Sequence, residues 1–596
     1  MAKSVKNRCR VFVQGIGVSQ GVAIGRVHLV DRRSVKYPRR HVDAEQTLAE
    51  IKRLELAVSE ASASLSALKA RAAIDHGADE SSAILDAHML MMQDPMLLDA
   101  AKREITGDCK CAEWALKSAV KQIRLRFDQM GHAYFRERRS DVDFVGERIL
   151  ASLMKDATPA LDAVPDDAIV VAHDISPADV LTLLNRSVLA IVTEGGGKTS
   201  HTAILARALE IPAIVGCADV LALAGREDRI VVDGGTGQVI LHPSKQVLGK
   251  YRGIAKRRAL LEEELLGQAE ADAITLDGHR VEVLANVDLE DEVASALAHG
   301  AAGVGLFRTE FLFMKRAGLP TVEEHTRVYS YVLGAMGKDR RVILRTFDLG
   351  SDKLSQHVPI SKEDNPALGL RACRLGLVQD ALFRAQLRGM LLATSNEHGA
   401  IMFPMIGGLD EFLRVRALLE EEMDSLEAQG TRVWREVPIG VMIELPSAVW
   451  AADHLAEACD FFSIGTNDLI QYSIAIDRGN ENLTGLYQPL HPGMLRAMQH
   501  VVEAGHTAGI PVGMCGEMFA DPMHAAIGVA LGVDSFSMPL SSIPRVKWAI
   551  RRCKKSDADA LLASCLRRNR VKDIESLVHD AMYEMVPELV GPRETK

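Results

Sequence analysis

The sequence predicts a multidomain α/β protein: a compact N-terminal α/β domain with a helical bundle inserted into it, followed by a C-terminal (β/α)8 TIM barrel. Three observations carry this. The chain has 596 residues, more than one hydrophobic core usually serves. From Ala273 onward, short apolar strands alternate with helix-rich stretches. Between two β-rich pieces nearer the N-terminus, the chain from about Asp43 to Lys155 reads almost wholly as helix.

The helical section begins at Glu45 to Ala73, which holds neither glycine nor proline and carries Leu48, Ile51, Leu54, Leu56 and Val58 at helical spacing. Further runs follow at Ser81–Met92, Met96–Ile105, Ala112–Met130 and Asp141–Met154, a pattern of a bundle. The flanking β pieces are Gly15–Val30 on one side and Ala168–His173, Val188–Val192, Ile211–Val215, Ile230–Asp233 and Val239–Leu241 on the other. Each group alone is too small to bury a core, so residues 1–30 and 156–243 are expected to form one domain interrupted by the bundle at 31–155. The charged stretch Ser244 to Glu270, rich in Lys, Arg and Glu, reads as a solvent-exposed linker helix, placing a connector at 244–272 and the barrel at 273–596.

Within the barrel segment the strand candidates are Val281–Ala285, Gly303–Phe307, Arg341–Arg345, Ile401–Met405, Ile439–Ile443, Phe461–Ile464, Ile510–Met514 and Ser535–Met538. Strands of this length separated by helices favour a closed parallel sheet.

Composition narrows the function classes. Lys+Arg 70 against Asp+Glu 80 gives a net charge of −10, which argues against nucleic acid as the main partner and suits a basic protein partner. No apolar run reaches the length of a membrane span, and Met1 to Gln14 lacks the apolar core of a secretory signal, so a cytoplasmic protein is expected. The nine cysteines are an odd set without a C-x-x-C pair, which speaks against a disulfide framework and a structural zinc site.

Two places carry candidate chemistry. In Gly195-Gly196-Gly197-Lys198-Thr199-Ser200-His201-Thr202 a glycine loop runs into an apolar helical pattern. Thr199 or Ser200 can cap that helix, and its free N–H groups and dipole attract phosphate while disfavouring imidazolium, so His201 keeps a nucleophilic lone pair. The spacing is not that of a nucleotide P-loop. A glycine turn with an incidental histidine accounts for the stretch; a covalently phosphorylated histidine is the sharper reading.

The second place is the end of the barrel strands, where catalytic groups of this fold collect. Arg308 follows the second strand, Arg345 closes the third, Glu444 follows the fifth, Asn467 and Asp468 follow the sixth, and Cys515 follows the seventh. Glu444 and Asp468 come from adjacent strands about 4.8 Å apart, close enough to share one cation. Oxygen ligands alone favour Mg2+ or Mn2+; a helix cap or a salt bridge is the plainer use of such carboxylates. Arg308 and Arg345, with Arg478 in the loop after strand six, suit a small polyanion, although each alone could be a surface ion pair. Cys515 sits between Gly513 and Gly516. With an ordinary pKa of ~8.5 it can donate a proton, and a buried structural thiol is the alternative.

With these residues in hand, the chain resembles enzyme I of the phosphoenolpyruvate-dependent phosphotransferase system, the phosphoenolpyruvate–protein phosphotransferase family. The resemblance runs essentially end to end. It covers Gly15 to Gly21, Gly196 to Arg207, Gly305 to Met314, Arg345-Thr346-Phe347-Asp348, Asn365 to Gly369, Met442-Ile443-Glu444, Ser463 to Leu469 and Gly513 to Glu517. It implies that His201 accepts the phosphoryl group of phosphoenolpyruvate on Nε2 and that Arg308, Arg345, Asn467, Asp468 and Arg478 hold the substrate. Glu444 and Asp468 would carry Mg2+, and Cys515 would protonate the enolate to pyruvate. The phosphoryl group would pass to a histidine of the carrier HPr, docked on the helical bundle, as the first step of sugar uptake. The small phosphohistidine domain would swivel between barrel and carrier, with the linker helix as hinge, and the chain would form a homodimer through its barrel.

Departures from the family pattern are Lys198 in place of a common arginine, Ser351 where a second glycine is usual, Ile470 where threonine is usual, and Met518-Phe519-Ala520 after Glu517. None removes a catalytic group. A dikinase-like rival would need a nucleotide-binding domain, where this chain has its helical section without a phosphate loop. A non-catalytic scaffold is the alternative from another class, and the intact strand-end set speaks against it. The absence of an added N-terminal sensory domain weakens the case for the nitrogen-regulatory branch.

Overall fold

A computed structural model describes residues 11–30, 37–75, 88–129, 139–154, 164–175, 183, 188–197, 202–203, 206, 211–314, 318–350, 363, 365–477, 483 and 486–590. His201 and Arg478 lie outside the described residues, as do Lys198, Thr199 and Ser200 and most of the expected helix Ser81–Met92. The chain divides into two compact units, residues 1–260 and 261–596.

The first unit contains an eight-stranded sheet and a helical bundle. Gly15–Val30 resolves into two strands, β2 (Ile16–Ser19) and β3 (Val22–Val30), and a further strand, β1 (Val11–Gln14), precedes it. The other strands come from beyond the bundle: β4 (Ala168–Ala172), β5 (Ala190–Thr193), β6 (Ala213–Val215), β7 (Arg229–Asp233) and β8 (Gln238–Leu241). Their order is β1-β8-β7-β3-β4-β5-β6-β2, so β1 and β2, neighbours in the chain, occupy opposite edges. The sheet must therefore curl until its edges almost meet. Glycine permits the approach: a Cβ on Gly17 would sit 2.0 Å from the Gly234 carbonyl oxygen, and one on Gly234 would sit 2.0 Å from that of Ser19. Strands β3 to β6 run parallel, and β4 to β6 are buried on both faces, in keeping with a composition of Ala, Ile and Val broken only by Thr193.

The bundle consists of helices Thr47–Asp75, Pro95–Asp108, Ala112–Gln129 and Arg139–Met154. The inward face of the first helix differs from the residues expected to form it. Leu48 and Leu56 are exposed, and the buried stripe is Leu54, Ala57, Val58, Ala61 and Leu65. Small alanines let the neighbouring helices approach, which the larger leucines would not.

The charged helix spans Lys245–Gly267 and is not solvent-exposed all round. Leu248 and Tyr251 are buried against Val231 and Ile240 of the sheet, while Leu265 belongs to the core of the second unit. The division between units falls inside this helix.

The second unit is a closed barrel of eight parallel strands: β9 (Glu282–Val287), β10 (Val304–Phe307), β11 (Val342–Arg345), β12 (Ala400–Phe403), β13 (Ile439–Ile443), β14 (Phe461–Gly465), β15 (Val512–Cys515) and β16 (Ser535–Met538). Each coincides with a strand expected from sequence, shifted at most two residues at its ends. Outward strand residues join the helices in one large core, and a smaller inner core of Leu306, Ile343, Ala400, Met402, Met442, Phe461 and Cys515 fills the barrel. No helix among the described residues is long and apolar enough to cross a membrane.

One long-range cap fastens the C-terminal helices to the barrel. Asp277 Oδ1 accepts from the Lys555 N–H at 2.8 Å and Oδ2 from the Ser556 N–H at 3.1 Å, while the Thr275 hydroxyl donates to Oδ1 at 2.6 Å. Helix Lys555–Leu566 has no side-chain cap of its own, so Asp277 takes that part. The Thr275 hydroxyl and the two N–H groups hold the Asp277 carboxyl well below its usual range. Since the folded value is depressed, the stabilisation is fully present above the unfolded value near ~3.9 and fades as pH falls below it. Asp277→Asn is expected to lower the urea midpoint at pH 7, with the difference from the parent narrowing below about pH 4 when both are followed by circular dichroism.

Candidate active site at the barrel mouth

Arg308, Arg345, Glu444, Asn467, Asp468 and Cys515 stand at or just beyond the C-terminal ends of barrel strands, so closure of the barrel gathers groups distant in sequence. Strands β13 and β14 pair in register, and this brings Glu444 and Asp468 together. A third carboxylate, Asp348, comes from the segment after β11. One oxygen from each of the three lies within 4.8 Å of the others. All three side chains are buried, with exposures of 1% for Glu444, 8% for the Asp468 side chain and 5% for that of Asp348.

Three anions in so little solvent need compensation. Arg371 supplies part of it: Nε and Nη2 donate to the two oxygens of Asp348 at 2.6 and 2.9 Å, and Nη1 and Nη2 donate to those of Asp468 at 3.3 and 3.0 Å. Arg345 lies between carboxylates, with Nη2 2.7 Å from Glu310 Oε1 and Nη1 3.4 Å from Asp348 Oδ2. Burial works against charging Arg345, but Glu310 and Asp348 outweigh it and hold the guanidinium charged. Glu310 Oε1 also accepts the Asp348 N–H, fixing the loop that presents Asp348.

Glu444 is the least compensated member. Its Oε1 accepts from the Met405 N–H at 2.7 Å. Burial, then the charges of Asp348 and Asp468, push its pKa up to about 8 against the pull of Arg345 and Arg371. Gly465 faces it across the pair, and a Cβ there would come within 2.8 Å of Glu444 Oε2. A buried all-oxygen set with a carboxylate pushed toward its neutral form fits a hard divalent cation, which would replace the missing positive charge.

Cys515 is the last residue of β15 rather than one beyond it. The Ser463 hydroxyl donates to its Sγ at 3.0 Å. Burial pushes the thiol up to about 11, with Ser463 and Arg345 pulling the other way. At neutral pH the group is a thiol, suited to giving a proton rather than attacking. Arg308 follows β10 and donates to Asp288 at 3.2 Å. Asn467 Oδ1 accepts from the Glu517 N–H at 3.0 Å, tying the segments after β14 and β15 together.

Of the residues picked out from sequence, Arg345, Glu444, Asp468 and Cys515 thus come together inside the barrel mouth. Arg308 and Asn467 stand at the same strand ends, in bonds of their own, and His201 and Arg478 lie outside the described residues. Sequence reasoning passed over Asp348, Glu310, Ser463 and Arg371. Asp348 was within reach of the strand-end rule, standing three residues after Arg345. Arg371 lies deep in the β11–β12 connection, where no local pattern marks it.

Comparison with known proteins follows the same division of the chain. Residues 262–555 match the family described as PEP-utilising enzyme, PEP-binding domain; residues 164–237 match the PEP-utilising enzyme, mobile domain; and residues 14–138 match the PEP-utilising enzyme, N-terminal. The phosphoenolpyruvate-protein phosphotransferase of Geobacillus stearothermophilus is 40% identical over 567 residues, covering 95% of this chain and 97% of the relative. The protein of that name from Listeria monocytogenes is 38% identical over 567 residues, 95% of this chain and 98% of its own. That from Bacillus subtilis is 37% identical over 570 residues, 95% of this chain and 99% of its own.

Because burial holds Cys515 as a thiol, its alkylation by iodoacetamide, followed by peptide mapping, is expected to be negligible at pH 8 and to climb toward pH 11. A rate that levels off near pH 8.5 would mean an ordinary, solvent-accessible thiol.

Proposed function

The chain belongs to the phosphoenolpyruvate–protein phosphotransferase family, and from that premise we propose how its residues divide the transfer of a phosphoryl group from phosphoenolpyruvate to protein. The enzyme is a transferase of the phosphotransferase system. The observation that carries the assignment of roles is the mouth of the barrel, where buried carboxylates, charged arginines and a neutral thiol converge.

His201 Nε2 is the acceptor. Its lone pair attacks phosphorus, the N–P bond forms as the bond to the enolate oxygen breaks, and the enolate of pyruvate leaves. Arg308, Arg345, Asn467 and Arg478 bind and orient the phosphate and carboxylate groups, supplying the positioning and neutralisation on which phosphoryl transfer mainly depends, and Asp468 meets the substrate through the ion it would hold. Glu444 and Asp468, with Asp348 beside them, would hold Mg2+. When bound, the ion neutralises charge on the phosphoryl and enolate oxygens. The Cys515 thiol gives its proton to the enolate methylene carbon, making pyruvate. The Ser463 hydroxyl, already donating to Sγ, steadies the thiolate until it regains a proton from water.

The phosphohistidine then passes its group to a histidine of HPr, docked on the helical bundle, in the cytoplasm. Domain limits of 1–30 with 156–243, 31–155, 244–272 and 273–596 suit this scheme, and the single sheet built from strands on both sides of the bundle supports the first two. With His201 and the barrel mouth on different domains, helix Lys245–Gly267 serves as the hinge. A homodimer formed through the barrel completes the assembly.

Intact-mass measurement after incubation with phosphoenolpyruvate and Mg2+ is expected to show one added phosphoryl group, labile to acid and mapping to His201. His201→Ala should abolish it; labelling that persists there, or that needs ATP, would overturn the assignment. Cys515→Ala is expected to slow pyruvate formation by roughly 100-fold or more while phosphoenolpyruvate affinity changes little, which a coupled pyruvate assay separates from a binding defect.

A further inference from the structure

Arg371 stands at the barrel mouth, and the scheme above does not use it. Its guanidinium spans two members of the carboxylate triad, with both oxygens of Asp348 and both of Asp468 accepting from it, and Nη1 also donates to the Tyr472 hydroxyl at 3.0 Å. The backbone fixes this placement. Ala372, next in the chain, has φ 54 and ψ −129, a conformation L-residues rarely adopt, and its N–H donates to the Leu349 carbonyl at 3.0 Å, one residue beyond Asp348. The strained backbone at Ala372 thus ties the Arg371 segment to the one that presents Asp348.

A guanidinium and a divalent ion drawn to the same carboxylates repel each other across a poorly screened, buried gap. Resting on the reading that the triad takes Mg2+, we propose that Arg371 is the resident counter-cation of the triad. It holds metal affinity down while the mouth is empty and yields the carboxylates to the metal when a substrate phosphate draws its guanidinium away. A planar fork with five donors can exchange carboxylate for phosphate without losing its hydrogen bonds. Metal and substrate then strengthen each other's binding, and by linkage the effect is the same in both directions. Arg371 is in this sense a positioning residue whose action is electrostatic.

The test uses the full chain carrying His201→Ala, so that phosphoenolpyruvate is not consumed, with Mn2+ titrated by electron paramagnetic resonance. Without substrate, adding Arg371→Gln is expected to tighten Mn2+ binding at least tenfold, whereas Arg371→Lys, which keeps the charge, should stay within threefold of the parent. Saturating phosphoenolpyruvate should tighten Mn2+ binding at least tenfold in the parent and less than threefold in the Gln variant. Weaker Mn2+ binding in both variants would show that Arg371 organises the carboxylates instead of competing with the metal, and would overturn the proposal; so would an equal substrate effect in parent and Gln variant. If the Gln variant does not fold, the Lys variant decides: Mn2+ affinity more than tenfold below the parent's refutes a charge-based role. A parent that binds no Mn2+ refutes the Mg2+ reading itself, an outcome distinct from the others.

Discussion

Asp348, Glu444 and Asp468 each bring an oxygen to within 4.8 Å of the others, almost out of contact with solvent, and the rest of the barrel mouth is arranged around their repulsion. At an effective dielectric of about 20, two unit charges about 5 Å apart repel by roughly 3 kcal/mol, large beside the few kcal/mol by which a domain is stable. Arg371 and Arg345 offset part of this, and Glu444 tends to carry a proton. The result is a site primed for further positive charge. A divalent ion and a phosphate-bearing substrate would together answer that need, the ion in place of the proton and the phosphate as another anion for the arginines to hold.

The barrel makes this concentration of charge tolerable because its walls are built for something else. The outward strand residues and the surrounding helices form a continuous apolar core, so the polar groups at the strand ends do not carry the burden of folding. Backbone groups are recruited where side chains would not fit. The Met405 N–H holds Glu444, the Asp348 N–H is held by Glu310, and Gly465 leaves room for the Glu444 carboxylate. Such contacts set direction as well as charge, which phosphoryl transfer requires more than any covalent help from the protein.

Much of this was legible in the sequence, for a definite reason. Barrel strands are short apolar runs between helices, a signal carried by each run alone, and all eight were found near their observed limits. Residues at or shortly after the end of a strand inherit a known position, which is why Arg345, Glu444, Asp468 and Cys515 could be named. Arg371 could not, because it stands far from either strand in sequence and only its contacts with Asp348 and Asp468 reveal its place. The bundle gave a similar lesson. Leu48 and Leu56 share the helical spacing of buried residues yet face solvent, since the neighbouring helices select the alanine-rich stripe. The charged helix Lys245–Gly267 was read as exposed because its composition outweighed its few apolar residues, but Leu248 and Tyr251 are buried against the sheet near its start and Leu265 in the second core near its end.

If the carboxylate triad seats a divalent ion, an anomalous-difference map from crystals grown with Mn2+ and phosphoenolpyruvate will locate it there. The expected result is a single strong peak in the barrel about 2.0–2.3 Å from oxygens of Glu444 and Asp468. A barrel mouth without a peak, or a peak held by other residues, would contradict it.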